Sequence, residues 1–294
     1  MGVEAGTART VGVVGAGFIG GAVAQVCAQA GFTVTLVDIK DGVLTRARER
    51  ILRSLEKLSG KAELAEAPAV IFGRISLSLD PPDGWSPDFI IECVPEDFAT
   101  KESVFAKYGH FCAARTIIGS NTSAIPIGKM AGVSGRPDRF IGMHFASPPT
   151  TQRLVEMIPC LSTSAETIAR TGNFLRSLGL EVVEVKKDTA GFIMSRIYLS
   201  AAGTAMRLLE LGAATASEID QAMRVGFGWV KGPLEAADFA GLDVIRGAML
   251  SIWEDTKDPG YWPPDVLTRL VNAGRLGRKT GWGFYKGEWG HGKG

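Results

Sequence analysis

The side chains with the most evident chemistry in this sequence are His144 and Glu156. His144, one of three histidines, closes the apolar stretch RFIGMHF, and Glu156 is embedded in the apolar run LVEMI after the turn-rich SPPTTQR. An unpartnered carboxylate in a buried strand costs several kcal/mol or is forced to shift its pKa. Glu156 therefore needs a partner, and His144 across the turn is the candidate. If the loop folds back, the carboxylate accepts from one ring nitrogen, fixes the tautomer and stabilises the imidazolium. The other nitrogen is then a general base for a hydroxyl proton, a task that suits a group titrating near neutrality. A purely structural His–Glu pair satisfies the same pattern. His110, on the helical stretch KYGHFCAA, reads as a surface or packing residue. His291 lies in the tail GEWGHGKG, which, like the extreme N-terminus, reads as a frayed end.

A second constellation lies near the N-terminus. VGVVGAGFIGGAVAQ places Gly15, Gly17 and Gly20 in G-x-G-x-x-G spacing, with Ala16, Phe18 and Ile19 between them, after a strand and before a helix. Such glycines permit a tight turn, a close approach of a pyrophosphate to the backbone, and close packing of helix on strand, while the helix N-terminus supplies amide donors. The next strand, TVTLVD, ends in Asp38 at the distance expected of a carboxylate that binds a ribose diol. That carboxylate repels a 2′-phosphate and favours NAD over NADP; Lys40 tempers the preference. A hydroxyl oxidised by hydride loss to NAD must also lose its proton, which links this turn to His144. SNTSAIPIG follows an apolar strand and puts Ser120, Asn121, Thr122 and Ser123 at the carboxyl end of a sheet, where ligands of open α/β sheets bind. A polar turn that caps itself has the same spacing.

These residues need a scaffold. At 294 residues the chain is long enough for two domains, and 32 basic against 31 acidic side chains leave no bias toward nucleic acid or an anionic membrane. A small molecule is the expected partner. Cys27, Cys93, Cys112 and Cys160 show no C-x-x-C or metal-like spacing, so structural metal and a disulfide framework are not expected and a reducing cytoplasm is. No signal-peptide layout is evident, and no apolar run approaches the ~18 residues that span a bilayer.

From Thr10 to about Val185, short β-branched or apolar runs (TVGVVGAG, TVTLVD, FGRISLSL, DFIIECV, TIIGSNTS, RFIGMHF, LVEMI, LEVVEV) alternate with helical stretches, the rhythm of a mostly parallel sheet covered by helices. A long charged helical segment, about 42–66, exceeds a simple crossover and is expected to form an arm. After KKDTAGF the strand signal stops and the chain reads as helices. Thr215 with Glu218 forms a capping box, Pro233 suits a first helical turn, and Gly274 ends the last helix. FIMSRIYLSAAGTAMRLLELG is apolar around most of its circumference, which suggests burial on several sides or a subunit contact.

Taken in order, IECVPEDFATK, SNTSAI, GMHFASPP with LVE, DTAGFIMSR, GPLEAADFAGLD and GRKTGWGFYK resemble the L-3-hydroxyacyl-CoA dehydrogenase family, from Thr10 to about Lys286. The resemblance implies an α/β, Rossmann-type, mostly parallel NAD-binding domain over 1–187 and an all-α substrate and dimerisation domain over 188–294. It implies that His144 is the catalytic base, Glu156 its partner, and Ser123 a donor to the reacting oxygen. Glu96, Lys101, Ser147 and Lys279 match positions of the NAD site, and Ser54 and Lys61 on the arm match positions that contact CoA. The implied reaction is NAD-dependent interconversion of L-3-hydroxyacyl-CoA and 3-oxoacyl-CoA, on short chains, by a homodimer. Ser147 and Ser195 stand where the family usually has Asn, in its HFxNP and GFxxNR segments. With an amide lost at each, a same-fold dehydrogenase of a non-CoA hydroxy acid, as in the gulonate-dehydrogenase-like branch, or of a carrier-bound hydroxyacyl group stays open. So does a non-catalytic NAD-binding module, because fold alone does not fix function.

Overall fold

The computed structural model describes residues 10–287; the two chain ends expected to fray, with His291, lie outside the described residues. The chain divides into two compact units, one formed up to Thr122 and by Pro126–Asp188, the other by Ser123–Ile125 and from Thr189 onward.

The first unit is built on eight strands: β1 (Thr10–Val14), β2 (Thr33–Val37), β3 (Ile75–Ser78), β4 (Phe89–Glu92), β5 (Ile117–Ser120), β6 (Phe140–Phe145), β7 (Leu154–Pro159) and β8 (Glu181–Glu184). They form one sheet in the order β3-β2-β1-β4-β5-β6-β7-β8. Central strands are buried on both faces, which is why they read as continuous runs such as VGVV and FIIE rather than as alternating ones. Every pairing is parallel except β6 with β7, which a short turn joins antiparallel. Helices α1 (Phe18–Gln29), α2 (Asp41–Ser59), α3 (Pro68–Phe72), α4 (Phe98–Phe111), α5 (Ile127–Val133) and α6 (Ala165–Ser177) complete this unit.

Helix α2 is the charged segment expected over 42–66. It ends at Ser59, and the chain leaves by a turn in which Ala62 donates to Ser59 O. Leu44, Ala47, Ile51 and Leu55 recur on one face and are buried in the core of this unit, so the helix is packed along its length.

The second unit is helical: α7 (Met194–Glu210), α8 (Ala216–Phe227), α9 (Pro233–Ala240), α10 (Leu242–Thr256) and α11 (Asp265–Asn272). Thr215 and Glu218 form the capping box on α8, Pro233 opens α9, and Gly274, at φ +70°, follows α11 in the left-handed conformation that terminates helices. α7 buries Leu199, Ala202, Ala205 and Met206 but leaves Ile197 and Leu208 exposed, so one of its faces is open.

Two buried carboxylates organise this unit. Asp220 accepts from the Leu234 and Glu235 amides at the start of α9, at 2.9 and 2.8 Å, and from the Tyr285 hydroxyl at 2.6 Å. Asp238 accepts from the Phe284 and Tyr285 amides at 3.0 and 2.9 Å; burial pushes its carboxyl up to about 6 against those two hydrogen bonds. The segments GPLEAADFAGLD and GRKTGWGFYK are thus clamped to each other. Among the described residues no helix is long and apolar enough to cross a membrane.

Candidate active site

The strand order reverses between β1 and β4, and the glycine-rich turn lies at the carboxyl end of β1 at this switch point. Gly15 has φ +99°, and a Cβ there would stand 2.6 Å from Cys93 O. A Cβ on Gly20 would stand 1.8 Å from Gly15 O, so this glycine allows α1 to pack on the turn. Gly17 differs: nothing lies within 4 Å of its Cβ position. It is the N-cap of α1 and no side chain caps that end, which leaves space for a phosphate to approach the first-turn amides. Asp38 accepts from the Ala16 amide at 2.9 Å and the Lys40 amide at 3.1 Å, which holds its carboxylate beside the turn. Phe18 is half exposed, and Ile19 packs against the core. These residues fit NAD. Gly20→Ala is expected to weaken NADH binding by at least tenfold, because the backbone carbonyl it meets cannot move without opening the turn; titration of NADH fluorescence checks it.

His144 and Glu156 are register partners on the antiparallel pair β6–β7. The pairing brings Nδ1 within 2.6 Å of Glu156 Oε2, with His144 8% and Glu156 0% exposed. An ionised carboxylate only accepts, so Nδ1 carries the proton and Nε2 carries the lone pair of the neutral ring. The strand end is fixed from the side as well, because the Phe145 amide donates to Asn121 Oδ1 at 2.9 Å.

Beside it lies a buried polar network centred on Glu92, a residue the sequence reading passed over. Glu92 accepts from Lys101 Nζ at 2.7 Å, Ser120 Oγ at 2.6 Å and the Val94 amide at 2.7 Å. Lys101 also lies 3.3 Å from Glu96, which accepts from the Thr122 hydroxyl. Burial pushes the Glu92 carboxyl up, opposed by the Lys101 ammonium and the Ser120 hydroxyl. Burial alone would lower Lys101, but the Glu92 and Glu96 carboxylates outweigh it and hold the ammonium above its ordinary range. Within SNTS the Thr122 amide donates to Ser120 Oγ at 3.3 Å, as in a turn that caps itself, while the side chains of Ser120, Asn121 and Thr122 are each also bonded to a neighbouring element. The signal for Glu92 was present, since a carboxylate inside DFIIECV poses the same question as Glu156 inside LVEMI.

The remaining candidates are spread over both units. Ser54 is half-buried on α2, and Lys61 is exposed in the turn after it, 3.9 Å from Glu63. Ser147 is exposed between β6 and β7. In the helical unit, Ser123 is half-buried, Ser195 lies in the first turn of α7, and Lys279 pairs with Asp243 at 2.6 Å.

A dinucleotide turn at the switch point of a mostly parallel sheet, followed by a helical unit, defines the class of NAD-dependent dehydrogenases. The family model for the 3-hydroxyacyl-CoA dehydrogenase NAD binding domain matches residues 10–189, and that for the C-terminal domain of the same enzymes matches 191–287. A probable 3-hydroxybutyryl-CoA dehydrogenase of Deinococcus radiodurans is 39% identical over 94% of this chain and 99% of its own. The mitochondrial hydroxyacyl-coenzyme A dehydrogenase of Sus scrofa is 36% identical over 95% of this chain and 91% of its own. The crystal structure of (S)-3-hydroxybutyryl-CoA dehydrogenase from Ralstonia eutropha superposes with a TM-score of 0.88 at 38% identity, covering 96% of this chain and 100% of that one. The chain belongs to the 3-hydroxyacyl-CoA dehydrogenase family. It is an NAD-dependent oxidoreductase.

Proposed function

We propose that the protein interconverts short-chain L-3-hydroxyacyl-CoA and 3-oxoacyl-CoA, with 3-hydroxybutyryl-CoA as the type substrate and His144 as the acid–base group. The observation that carries this reading is the 2.6 Å bond between Nδ1 and Glu156, which sets the tautomer that a base acting through Nε2 requires. In oxidation, Nε2 takes the hydroxyl proton as the carbinol carbon becomes a carbonyl, and Glu156 stabilises the imidazolium. Bound NAD supplies the hydride acceptor. In reduction, the imidazolium returns its proton to the ketone oxygen. Ser123 hydrogen-bonds the reacting oxygen, Asp38 takes the ribose diol, and Ser54 and Lys61 hold the CoA moiety, Lys61 as a point charge for its phosphates. Glu96, Lys101, Ser147 and Lys279 serve the NAD site, and Ser195 the substrate.

The relatives, named as 3-hydroxybutyryl-CoA and hydroxyacyl-coenzyme A dehydrogenases, favour a CoA ester over a free hydroxy acid or a carrier-bound group, and favour turnover over a binding role. A cytoplasmic location accords with four unpaired cysteines. A homodimer formed through the helical unit accords with Val225, Phe227 and Val230, which are 79%, 76% and 91% exposed.

NADH oxidation with acetoacetyl-CoA, run beside free acetoacetate, tests the substrate. Binding energy from the remote CoA moiety should raise kcat/KM for the ester by about 100-fold or more over the free acid. Equal efficiency on both would overturn the CoA reading.

A further inference from the structure

We propose that Arg50 is a positioning residue for the dinucleotide, acting from behind the glycine-rich turn. The inference rests on NAD binding at that turn and assigns a residue that the G-x-G-x-x-G pattern does not contain. Arg50 lies on α2, beside Ile51, whose side chain is buried in the core. Its Nη2 donates to Ala16 O at 3.1 Å and to Gly17 O at 3.2 Å.

These two carbonyls belong to particular peptide units. The unit whose oxygen is on Ala16 carries the amide of Gly17, and the unit whose oxygen is on Gly17 carries the amide of Phe18. A peptide's C=O and N–H point in opposite directions, so a cation seated on the oxygens lies on the far side of the turn from the donors offered to a pyrophosphate. Hydrogen bonds in series polarise one another. A guanidinium on these oxygens therefore strengthens the Gly17 and Phe18 amides as donors and adds a positive charge behind them. Gly17 O is shared, since it also accepts from the Gly21 amide at 3.1 Å, the first bond of α1. Arg50 thus grips the start of that helix as well as the turn.

The placement is not one a cation adopts for its own sake. Burial lowers the Arg50 guanidinium from its ordinary value, and repulsion from Arg46 and Arg53 adds to that, with only the nearby Glu49 opposing. A bound diphosphate would complement the local excess of positive charge. Glycine alone makes the turn passable; Arg50 makes its amides better donors.

The test is NADH binding followed by nucleotide fluorescence, without acyl-CoA, on the full-length protein. Arg50→Ala should weaken NADH about tenfold. The melting temperature should move little, because alanine is the better helix former and the buried stripe of α2 is untouched. Arg50→Lys, which restores the charge, should recover part of the loss. At saturating NADH, kcat with acetoacetyl-CoA should stay within about twofold of wild type. Unchanged NADH affinity in Arg50→Ala would overturn the proposal. So would parallel loss of affinity and thermal stability in both variants, which marks a general structural role. If the wild-type protein itself did not bind NADH, the cofactor reading would have failed instead, an outcome distinct from either.

Discussion

His144→Gln is expected to lower kcat on acetoacetyl-CoA by about a thousandfold while leaving NADH affinity within twofold, the size of effect attributed to a positioned general acid–base. His144 is a residue of β6, three strands across the sheet from β1 and its glycine-rich turn, so nucleotide binding has no reason to fail with it. Gln is the informative variant because truncation to Ala confounds two effects. It would remove the acid–base group and also leave Glu156, a fully buried carboxylate, without its imidazole partner, which costs about 3–5 kcal/mol where such pairs are broken. Gln can still donate to Glu156, so the fold is spared while the proton path is lost. Glu156→Gln is the converse probe. Its amide can offer a donor to Nδ1 and so move the imidazole proton to Nε2, the wrong tautomer for a base, with a loss of about a hundredfold or more. If His144→Gln kept kcat within tenfold of wild type, or lost NADH binding along with turnover, the assignment of the base would be wrong.

The fold was legible to the degree that local patterns carry it. All eight strands stand where short β-branched or apolar runs occur, and the caps at Thr215, Pro233 and Gly274 are where their residue types place them. Each of these depends on neighbours in sequence. The same holds for the glycine-rich turn, whose three glycines and Asp38 are local signals for a local geometry. His144 with Glu156 was readable across a short turn because one anomaly, a carboxylate in an apolar run, demanded a partner close by.

What the residues did not disclose depends on distant partners. Asp220 and Asp238 lie in helices that read as ordinary amphipathic segments; nothing nearby says that their carboxylates hold Phe284 and Tyr285. Arg50 sits in a charged helix and reads as solvated surface, yet its acceptors are the backbone of residues 16 and 17, which no side-chain pattern advertises. The stripe Leu44, Ala47, Ile51 and Leu55 was visible in α2, but the surrounding charge made a projecting arm the simpler reading. Glu92 was missed for a different reason. Its local signal equalled that of Glu156, but its partner is a lysine on the following helix rather than a histidine across a turn.

Lys101→Met tests that second carboxylate, and the expected loss is about 3–5 kcal/mol of folding stability at neutral pH. The substitution keeps the apolar stem of a side chain only 1% exposed and removes the ammonium from between Glu92 and Glu96. Glu92 keeps the Ser120 hydroxyl and the Val94 amide, but these do not cancel a full charge in the protein interior. The pH dependence follows in sign. Burial already raises Glu92 above its ordinary value of 4.5, and loss of the ammonium removes the largest opposing influence, so its folded-state value climbs further. A carboxyl raised on folding stabilises the fold below its unfolded pKa, and that contribution is lost as pH rises through the folded one. The deficit of Lys101→Met against wild type should therefore be smallest near pH 4.5 and grow as the pH is raised to neutrality. Adding Glu92→Gln should recover much of the loss, because the neutral amide no longer needs the ammonium. Denaturant melts of the wild type and the two variants across that range decide the matter. A deficit below about 1 kcal/mol at neutral pH, or one that does not change with pH, would mean that Glu92 is not held as a buried charge by Lys101.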